Sequence, residues 1–156
     1  MKINTKLLII CLVIPLAVGG LAALLTGGGM DTFETLSKPP LSPPGWLFPV
    51  VWTILYILMG VASYLVLTSG KTREDIRRAL TVYGIQLAFN FLWPVFFFGL
   101  SFYLFAFIWL AALWLLVIVN ALIFYRIRHT AGYLMLPYLV WTSFAGYLNF
   151  GVYLLN

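Results

Sequence analysis

Aromatic and amide side chains recur at helical spacing in three apolar stretches of this chain. The three stripes comprise Trp52 and Tyr56, then Asn90 and Trp93, then Tyr138, Trp141, Ala145, Leu148 and Asn149. Residues at this spacing share one face of an α-helix. Aromatic rings can stack on a flat ligand, and amide groups can hydrogen-bond to its polar edge. The stripes therefore predict an aromatic cavity, with simple aromatic packing between helices as the alternative.

Conventional catalytic groups are missing from the same stretches. The predicted membrane spans contain no Asp, Glu, Lys or Arg, and the one histidine, His129, lies in a connection. The single cysteine, Cys11, lies within an apolar run. A catalytic triad, a carboxylate pair or a His–Cys metal cluster at membrane depth is therefore excluded. We predict no metal site and no required cofactor.

The elements that must position the stripes are membrane helices. Of 156 residues, 63% are hydrophobic and only 8% are charged, which leaves too little polar surface for a soluble globule. The predicted spans cover residues 7–26, 46–68, 79–99, 101–125 and 133–154. We therefore predict an all-α membrane protein, a five-transmembrane-helix bundle forming a single domain over residues 1–156. The net charge of +5 lies in short connections, which indicates the lipid bilayer rather than nucleic acid as partner.

The longest polar connection, residues 27–45, ends in the proline-rich run KPPLSPPG. Proline fixes φ and removes a backbone donor, so the second half of this segment is predicted to be an ordered loop. Phe33 and Leu36 offer apolar contacts that could fold the first half over the helix ends. A loop of this length in a small protein is usually either functional or disordered. The prolines favour an ordered, functional loop.

The distribution of basic residues predicts the orientation. The amino terminus and the second and fourth connections hold eight lysines and arginines, whereas the first connection holds Lys38 alone. By the positive-inside rule the amino terminus lies inside, and the carboxyl terminus and the proline-rich loop lie outside. At about 1.5 Å per residue, Trp52 and Trp93 lie roughly 10 Å below the outer surface, and Trp141 lies at about 18 Å. The stripes then share one slab beneath the loop.

Three segments of the chain resemble one known family. They are KPPLSPPGWLFPVVWTILY, QLAFNFLWPVFFFG and PYLVWTSFAGYLN, in this order. Together they resemble the TspO/MBR family, the tryptophan-rich sensory proteins related to the translocator protein once called the peripheral benzodiazepine receptor. The resemblance implies a five-helix bundle in a membrane, here that of a bacterial cell, that is usually dimeric. It also implies binding of porphyrins, and in some members of sterols or benzodiazepine-type ligands, beneath the first loop.

The resemblance also implies roles for particular residues. Trp52 and Trp141 match the paired tryptophans associated with porphyrin binding and photo-oxidative degradation, so they are the candidate photochemical pair. Asn90 and Trp93 match the NxxW pattern of the third helix, and Ala145 matches a small residue that faces the ligand. The complete predicted ligand-binding set is Phe33, Pro43, Pro44, Trp52, Tyr56, Asn90, Trp93, Tyr138, Trp141, Ala145, Leu148 and Asn149.

Two positions depart from the family pattern. Family members commonly carry an acidic residue in the fourth helix, where this chain has Trp109. The carboxyl-terminal sterol motif of animal members requires a basic residue after its tyrosine, but this chain ends GVYLLN. The resemblance therefore extends neither to a role of that carboxylate nor to the sterol motif.

The function expected from these observations is binding of protoporphyrin IX-like tetrapyrroles, with light-dependent degradation and a sensory or regulatory role. Since no histidine lies at membrane depth, a metal-free porphyrin held by stacking and amide hydrogen bonds is favoured. The porphyrin would be ligand or substrate, and enzymatic activity stays open. The alternative is a translocator of porphyrins or other apolar ligands. Gly84 and Ala88 form a small-xxx-small pair that predicts a homodimer through the third helix.

Overall fold

A computed structural model describes residues 3–27 and 29–156, and this part of the chain is helical without strands. The helices are α1 Thr5–Leu25, α2 Gly29–Thr35, α3 Leu47–Leu67, α4 Arg73–Pro94, α5 Tyr103–Ile127, α6 His129–Leu134 and α7 Leu136–Leu155. A π-helical segment, Val95–Gly99, continues α4. Because the short helices α2 and α6 join the long ones, the predicted count of five helices is not confirmed.

Four helices are long and apolar enough to cross a membrane. These are α1, α3, α4 with its π-helical segment, and α5. The remaining long helix, α7, has 20 residues, enough to span a hydrocarbon core of about 30 Å. It is less apolar than α1, α3 and α5 because it carries Tyr138, Thr142, Ser143 and Asn149 among its residues. The protein is therefore an all-α integral membrane protein with four candidate spans.

Several helix boundaries differ from the predicted ones. α4 begins at Arg73, six residues before the predicted span, because Thr72 caps it. The Thr72 hydroxyl accepts a hydrogen bond from the Asp75 backbone N–H at 3.1 Å and donates to the Asp75 carboxylate at 2.7 Å. Such a cap satisfies donors that the first turn leaves free, so the basic connection starts a helix. The predicted fifth span is interrupted at Met135, which separates α6 from α7.

The regular α-helical pattern of α4 ends at Pro94, and a π-helical segment follows it. Proline lacks the N–H that would continue the regular ladder, and π-turns often occur at such interruptions. The chain then turns within three residues, with the Phe102 backbone N–H donating to the Phe96 carbonyl at 3.0 Å. α4 and α5 are consequently antiparallel neighbours that pack along their length. The segment also brings Phe97 and Phe98 beside Trp93, at centroid distances of 5.3 and 6.0 Å.

The helices pack so that a cavity remains within one end of the bundle. α1 packs on α3 and α4, α5 packs on α4, α6 and α7, and α6 also packs on α3. The short helix α2 lies at the end of the bundle where the π-helical segment ends, and it contacts that segment. We call this the α2 end of the bundle. It is the end under which the predicted aromatic stripes meet.

Candidate functional site

A cavity of about 580 Å³ lies at the α2 end, between α1, α3 and α4. Four residues of the predicted ligand-binding set line it: Trp52, Tyr56, Asn90 and Trp93. Its volume is within the range of about 300–1,000 Å³ that is typical of sites for small molecules. The cavity opens where Gly20 and Ala23 of α1 and Thr53 of α3 are exposed.

The floor of the cavity depends on Gly19. The Tyr56 ring lies directly against this glycine, in the place where any other residue would put its Cβ. Trp52 stacks on the same ring, with centroids 5.6 Å apart and planes 28° apart. Trp52 also meets the Tyr138 ring edge-on at 6.0 Å. These contacts hold Trp52 between the floor and the core, so one surface of the indole borders the cavity.

A chain of hydrogen bonds runs from the floor into the core. The Tyr56 hydroxyl donates to Asn90 Oδ1 at 2.7 Å, and Asn90 Nδ2 donates to the Tyr138 hydroxyl at 2.7 Å. The Tyr138 hydroxyl donates to Gln86 Oε1 at 2.9 Å, and Gln86 Nε2 points to Met59 Sδ at 3.8 Å. Sulfur is a weak acceptor and no donor, so Met59 sets the direction of the whole chain. The Tyr56 hydroxyl therefore donates into the core and not into the cavity.

Trp93 is held by a second set of buried contacts. Its indole N–H donates to Asn149 Oδ1 at 3.0 Å, and Asn149 Nδ2 donates to the Tyr103 carbonyl at 2.8 Å. Trp93 also stacks on Phe97, with planes 27° apart. Asn149 thus joins α4, α5 and α7 and does not line the cavity. The amides of Asn90 and Asn149 position the aromatic rings from behind.

The two predicted photochemical tryptophans lie on different sides of Phe48. Phe48 lines the cavity together with Trp52, and its other contacts are Phe33 at 5.0 Å and Trp141 at 5.8 Å, both edge-on. Trp141 does not line the cavity, and its indole nitrogen is buried without a partner in the described part of the chain. The structure therefore brings Trp52 and Trp141 near each other but not onto one surface. Their joint role stays a prediction.

The remaining predicted residues surround the cavity without lining it. Tyr138, Ala145 and Leu148 are buried in the core, and so is Phe33 of α2. Pro43 and Pro44 lie in the proline-rich loop. This loop is fastened to α7 because the Tyr147 hydroxyl donates to the Pro40 carbonyl at 2.7 Å. These positions support the cavity.

The loop has a further attachment near the end of α7. Asn156 forms two hydrogen bonds with the Ser37 backbone, accepting from its N–H at 3.1 Å and donating to its carbonyl at 2.8 Å. Gly151 lies against Pro39 with no room for a Cβ. These contacts fasten the second half of the loop to the end of α7.

The sequence prediction missed the wall that α1 and α2 provide. The missed lining residues include Leu16, Gly19, Gly20, Ala23, Met30, Asp31, Phe48 and Phe98. The small residues of α1 allow a close helix contact, since the Tyr56 ring packs against Gly19. The small residues of α1 also leave room for the cavity. A run of small residues opposite aromatic stripes is the sequence signal that could have indicated this.

Charge at the site comes from α2. Asp31 is the one charged residue among the described residues that line the cavity. The Lys38 ammonium donates to the carbonyls of Phe33 and Glu34 at 3.0 and 2.9 Å, which caps the carboxyl end of α2. The described residues contain no group of three or more His, Cys, Asp or Glu that could hold a metal ion.

Comparison with known proteins agrees with the geometry. The profile of the TspO/MBR family matches residues 11–155. "Tryptophan-rich protein TspO" of Chlorobaculum tepidum is 39% identical over 150 residues, covering 96% of this chain and 95% of that protein. "Protein CrtK" of Rhodobacter capsulatus is 36% identical, covering 88% of this chain and 85% of its own. "Translocator protein" of Bos taurus is 34% identical, covering 85% and 79%. The chain, with its tryptophan-lined cavity beside α2, belongs to the TspO/MBR family.

Proposed function

We propose that this protein binds porphyrin-type tetrapyrroles in the cavity at the α2 end. The observation that carries the proposal is the aromatic enclosure formed by Trp52, Tyr56 and Trp93 around an otherwise apolar space of about 580 Å³. Flat aromatic surfaces gain from stacking on indole and phenol rings, beyond the area that they bury. Membership of the TspO/MBR family supports the same ligand class.

The proposal extends to the membrane topology. α7 makes the fifth crossing, since it is long enough and its buried face belongs to the core. As the basic connections predict, the amino terminus lies inside and the α2 end outside. The membrane is proposed to be that of a bacterial cell. The cavity is then reached from the outer half of the bilayer, through the opening at Gly20 and Ala23.

Light-dependent degradation is the accompanying activity. An excited porphyrin supplies the reactivity and oxygen is the oxidant, so the protein needs to hold the ring and exchange an electron with it. Trp52 is placed for this because it lines the cavity. Trp141 lies behind Phe48, 5.8 Å from it between ring centroids. Displacement of Phe48 by the ligand would bring both tryptophans to one surface.

A translocator is the second candidate function. The name of the Bos taurus relative favours it. The opening between α1 and α3 provides a lateral path for an apolar ligand. A sensory role would use the same cavity to change a contact with a partner.

The protein is further proposed to be a homodimer through α4. Gly84 and Ala88 are exposed, and a Cβ at Gly84 would meet no atom within 4 Å. Small residues at this spacing allow two helices to approach closely in lipid. Leucine at both positions should shift the mass in nanodiscs toward the monomer, whereas an unchanged dimer would place the interface elsewhere.

Titration of the purified protein with protoporphyrin IX in lipid nanodiscs tests the proposed function. Quenching of tryptophan emission with a dissociation constant in the micromolar range, about 8 kcal/mol of binding free energy, is expected. No quenching beyond that of empty nanodiscs would reject the proposal. Net porphyrin flux into sealed vesicles, measured beside the loss of the porphyrin spectrum under light, then separates the carrier from the catalyst and from the passive binder.

A further inference from the structure

The proline-rich loop runs back along the last turns of α7 before it reaches α3. Asn156, which follows α7, forms two hydrogen bonds with the Ser37 backbone. Pro39 packs against Gly151, which precedes the last residue of α7 by four positions, or about 6 Å along the helix axis. Since the 20 residues of α7 match a hydrocarbon core of about 30 Å, Pro39 lies near the boundary between headgroups and acyl chains. The loop therefore reaches the depth of the bilayer surface instead of projecting into water.

The two prolines in this part of the loop have no unpaired backbone polar group. Pro39 and Pro40 lack an N–H, and both of their carbonyls accept hydrogen bonds. The Ser42 hydroxyl donates to the Pro39 carbonyl at 2.7 Å, and the Tyr147 hydroxyl donates to the Pro40 carbonyl at 2.7 Å. A free backbone donor or acceptor is costly among acyl chains, where no water can pair with it. The turn formed by residues 39–42 is thus suited to contact with lipid.

Leu41, in the same turn, has an unusual conformation for a leucine. Its φ is +67°, in the left-handed region that a Cβ disfavours. Its side chain is 85% exposed, the largest exposed fraction among the large hydrophobic residues that the structure describes. The contacts of Pro39 and Pro40 hold this strained backbone in place, and strain that is retained in this way indicates a function. The nearest cation in sequence, the Lys38 ammonium, is bound to carbonyls of α2, so the turn presents an apolar side chain on an uncharged support.

We propose that the turn formed by residues 39–42 is a membrane anchor whose Leu41 side chain inserts among the acyl chains of the leaflet at the α2 end. This inference rests on the proposed crossing of the bilayer by α7 and does not depend on porphyrin binding. Transfer of an exposed leucine from water to acyl chains is favourable, which offsets the strain of the left-handed backbone. Trp46, exposed at the N-cap of α3, is of the residue type that is enriched at headgroup level. The loop is then held by α7 on one side and by lipid on the other.

A nitroxide spin label at Leu41→Cys, in a Cys11→Ser background and in phosphatidylcholine nanodiscs, tests the depth of the turn. Cys11 is the only cysteine of the sequence and is buried, so its replacement leaves a single labelling site. Molecular oxygen concentrates among acyl chains, whereas a nickel chelate stays in water. The ratio of oxygen to nickel collision rates at Leu41→Cys should approach the ratio at Leu115→Cys, an exposed position in the middle of the candidate span α5.

Glu34→Cys is the matched control, because it places the same label on an exposed position at the same end of the protein. Glu34 is a charged residue of α2, so a label there should lie in water and collide mainly with the nickel chelate. Deuterium uptake in nanodiscs by the peptide that covers residues 37–46 gives a reading without a label. Leu41→Asp should raise this uptake, because a carboxylate does not stay among acyl chains. Leu41→Met keeps an unbranched apolar side chain and should leave the uptake unchanged.

The outcomes separate the anchor from the topology on which it rests. A label at Leu41→Cys that lies among acyl chains, with uptake raised by Leu41→Asp and not by Leu41→Met, supports the anchor. A label that collides with the nickel chelate as often as the label at Glu34→Cys overturns the anchor and leaves Leu41 for an apolar pocket of a protein partner. Equal uptake in Leu41→Asp and the wild type also overturns it. If a label at Val140→Cys, an exposed position on α7, lies in water as well, the proposed crossing of α7 fails and the anchor fails with it.

Discussion

Two buried asparagines on neighbouring helices have opposite surroundings. Asn90 of α4, at the cavity, is 3% exposed and has both side-chain polar atoms bonded, to Tyr56 and Tyr138. Asn120 of α5 is 0% exposed, and neither of its amide atoms has a hydrogen-bond partner in the described part of the chain. Asn120 lies one turn before Phe124, whose ring contacts Tyr83.

This difference separates a polar network that organises the site from a polar group that only occupies the core. A buried unpaired amide costs roughly 1–3 kcal/mol, and a fully bonded network rigidifies the elements that it joins. The network around Asn90 holds the ring of Tyr56 and hence the stacking surface of Trp52. Stability and binding should therefore depend on Asn90 and far less on Asn120.

The largest expected effect is that of Asn90→Leu. The change leaves the Tyr138 hydroxyl without its donor and the Tyr56 hydroxyl without its acceptor inside the core. A cost of about 3 kcal/mol in the free energy of unfolding is expected for such unpaired buried groups. The expected result is a clear fall in the thermal unfolding midpoint in detergent, together with loss of the quenching of tryptophan emission by porphyrin. A midpoint equal to the wild type would mean that the network does not stabilise the α2 end.

Filling the floor of the cavity should have the next largest effect. In Gly19→Ala the new Cβ occupies the place of the Tyr56 ring, which must move into the cavity. The overpacking should cost about 1–3 kcal/mol in the free energy of unfolding. Because Trp52 stacks on the displaced ring, porphyrin affinity should also fall, by about tenfold or 1.4 kcal/mol of binding free energy. Gly20→Ala is the matched control, since a Cβ there meets no atom within 4 Å. Equal affinities in the two variants would contradict this account of the floor.

A smaller effect on binding is expected from Trp52→Phe. Phenylalanine keeps a stacking surface but loses the indole N–H and its easier oxidation, so affinity should fall by about 1 kcal/mol. The light-dependent loss of the porphyrin spectrum should fall much more.

Trp46→Phe is the control for this change, because Trp46 is 67% exposed and does not line the cavity. Trp141→Phe tests the pairing of the two tryptophans. Photodegradation equal to the wild type in both Trp52→Phe and Trp141→Phe would leave a binder with incidental photochemistry.

The smallest effect is expected at Asn120. Asn120→Leu replaces two unpaired polar atoms by an apolar side chain with the same number of heavy atoms, so the protein should be at least as stable as the wild type. Porphyrin binding should be unchanged, because Asn120 does not line the cavity. A loss of stability comparable to that of Asn90→Leu would remove the contrast between the two asparagines.

The sequence by itself determined the helical membrane class and the family. The long apolar runs and the short turn between α4 and α5 follow from local composition and spacing. The spacing of Trp52 with Tyr56 and of Asn90 with Trp93 placed each pair on one face, and the structure brings all four to one cavity. These features depend on neighbours in the chain, which a sequence displays directly.

Only the tertiary structure decided which stripe residues face the cavity and which support it. Helical periodicity places Trp141 and Asn149 on a common face of α7, but it does not give the rotation of α7 against α3 and α4. Phe48 of α3 lies between Trp52 and Trp141. The Trp93 indole N–H donates a hydrogen bond to Asn149 Oδ1. Gly19 became the floor because Tyr56, far away in sequence, reaches it. Such contacts arise from side-chain reach across helix interfaces, for which spacing along one helix contains no information.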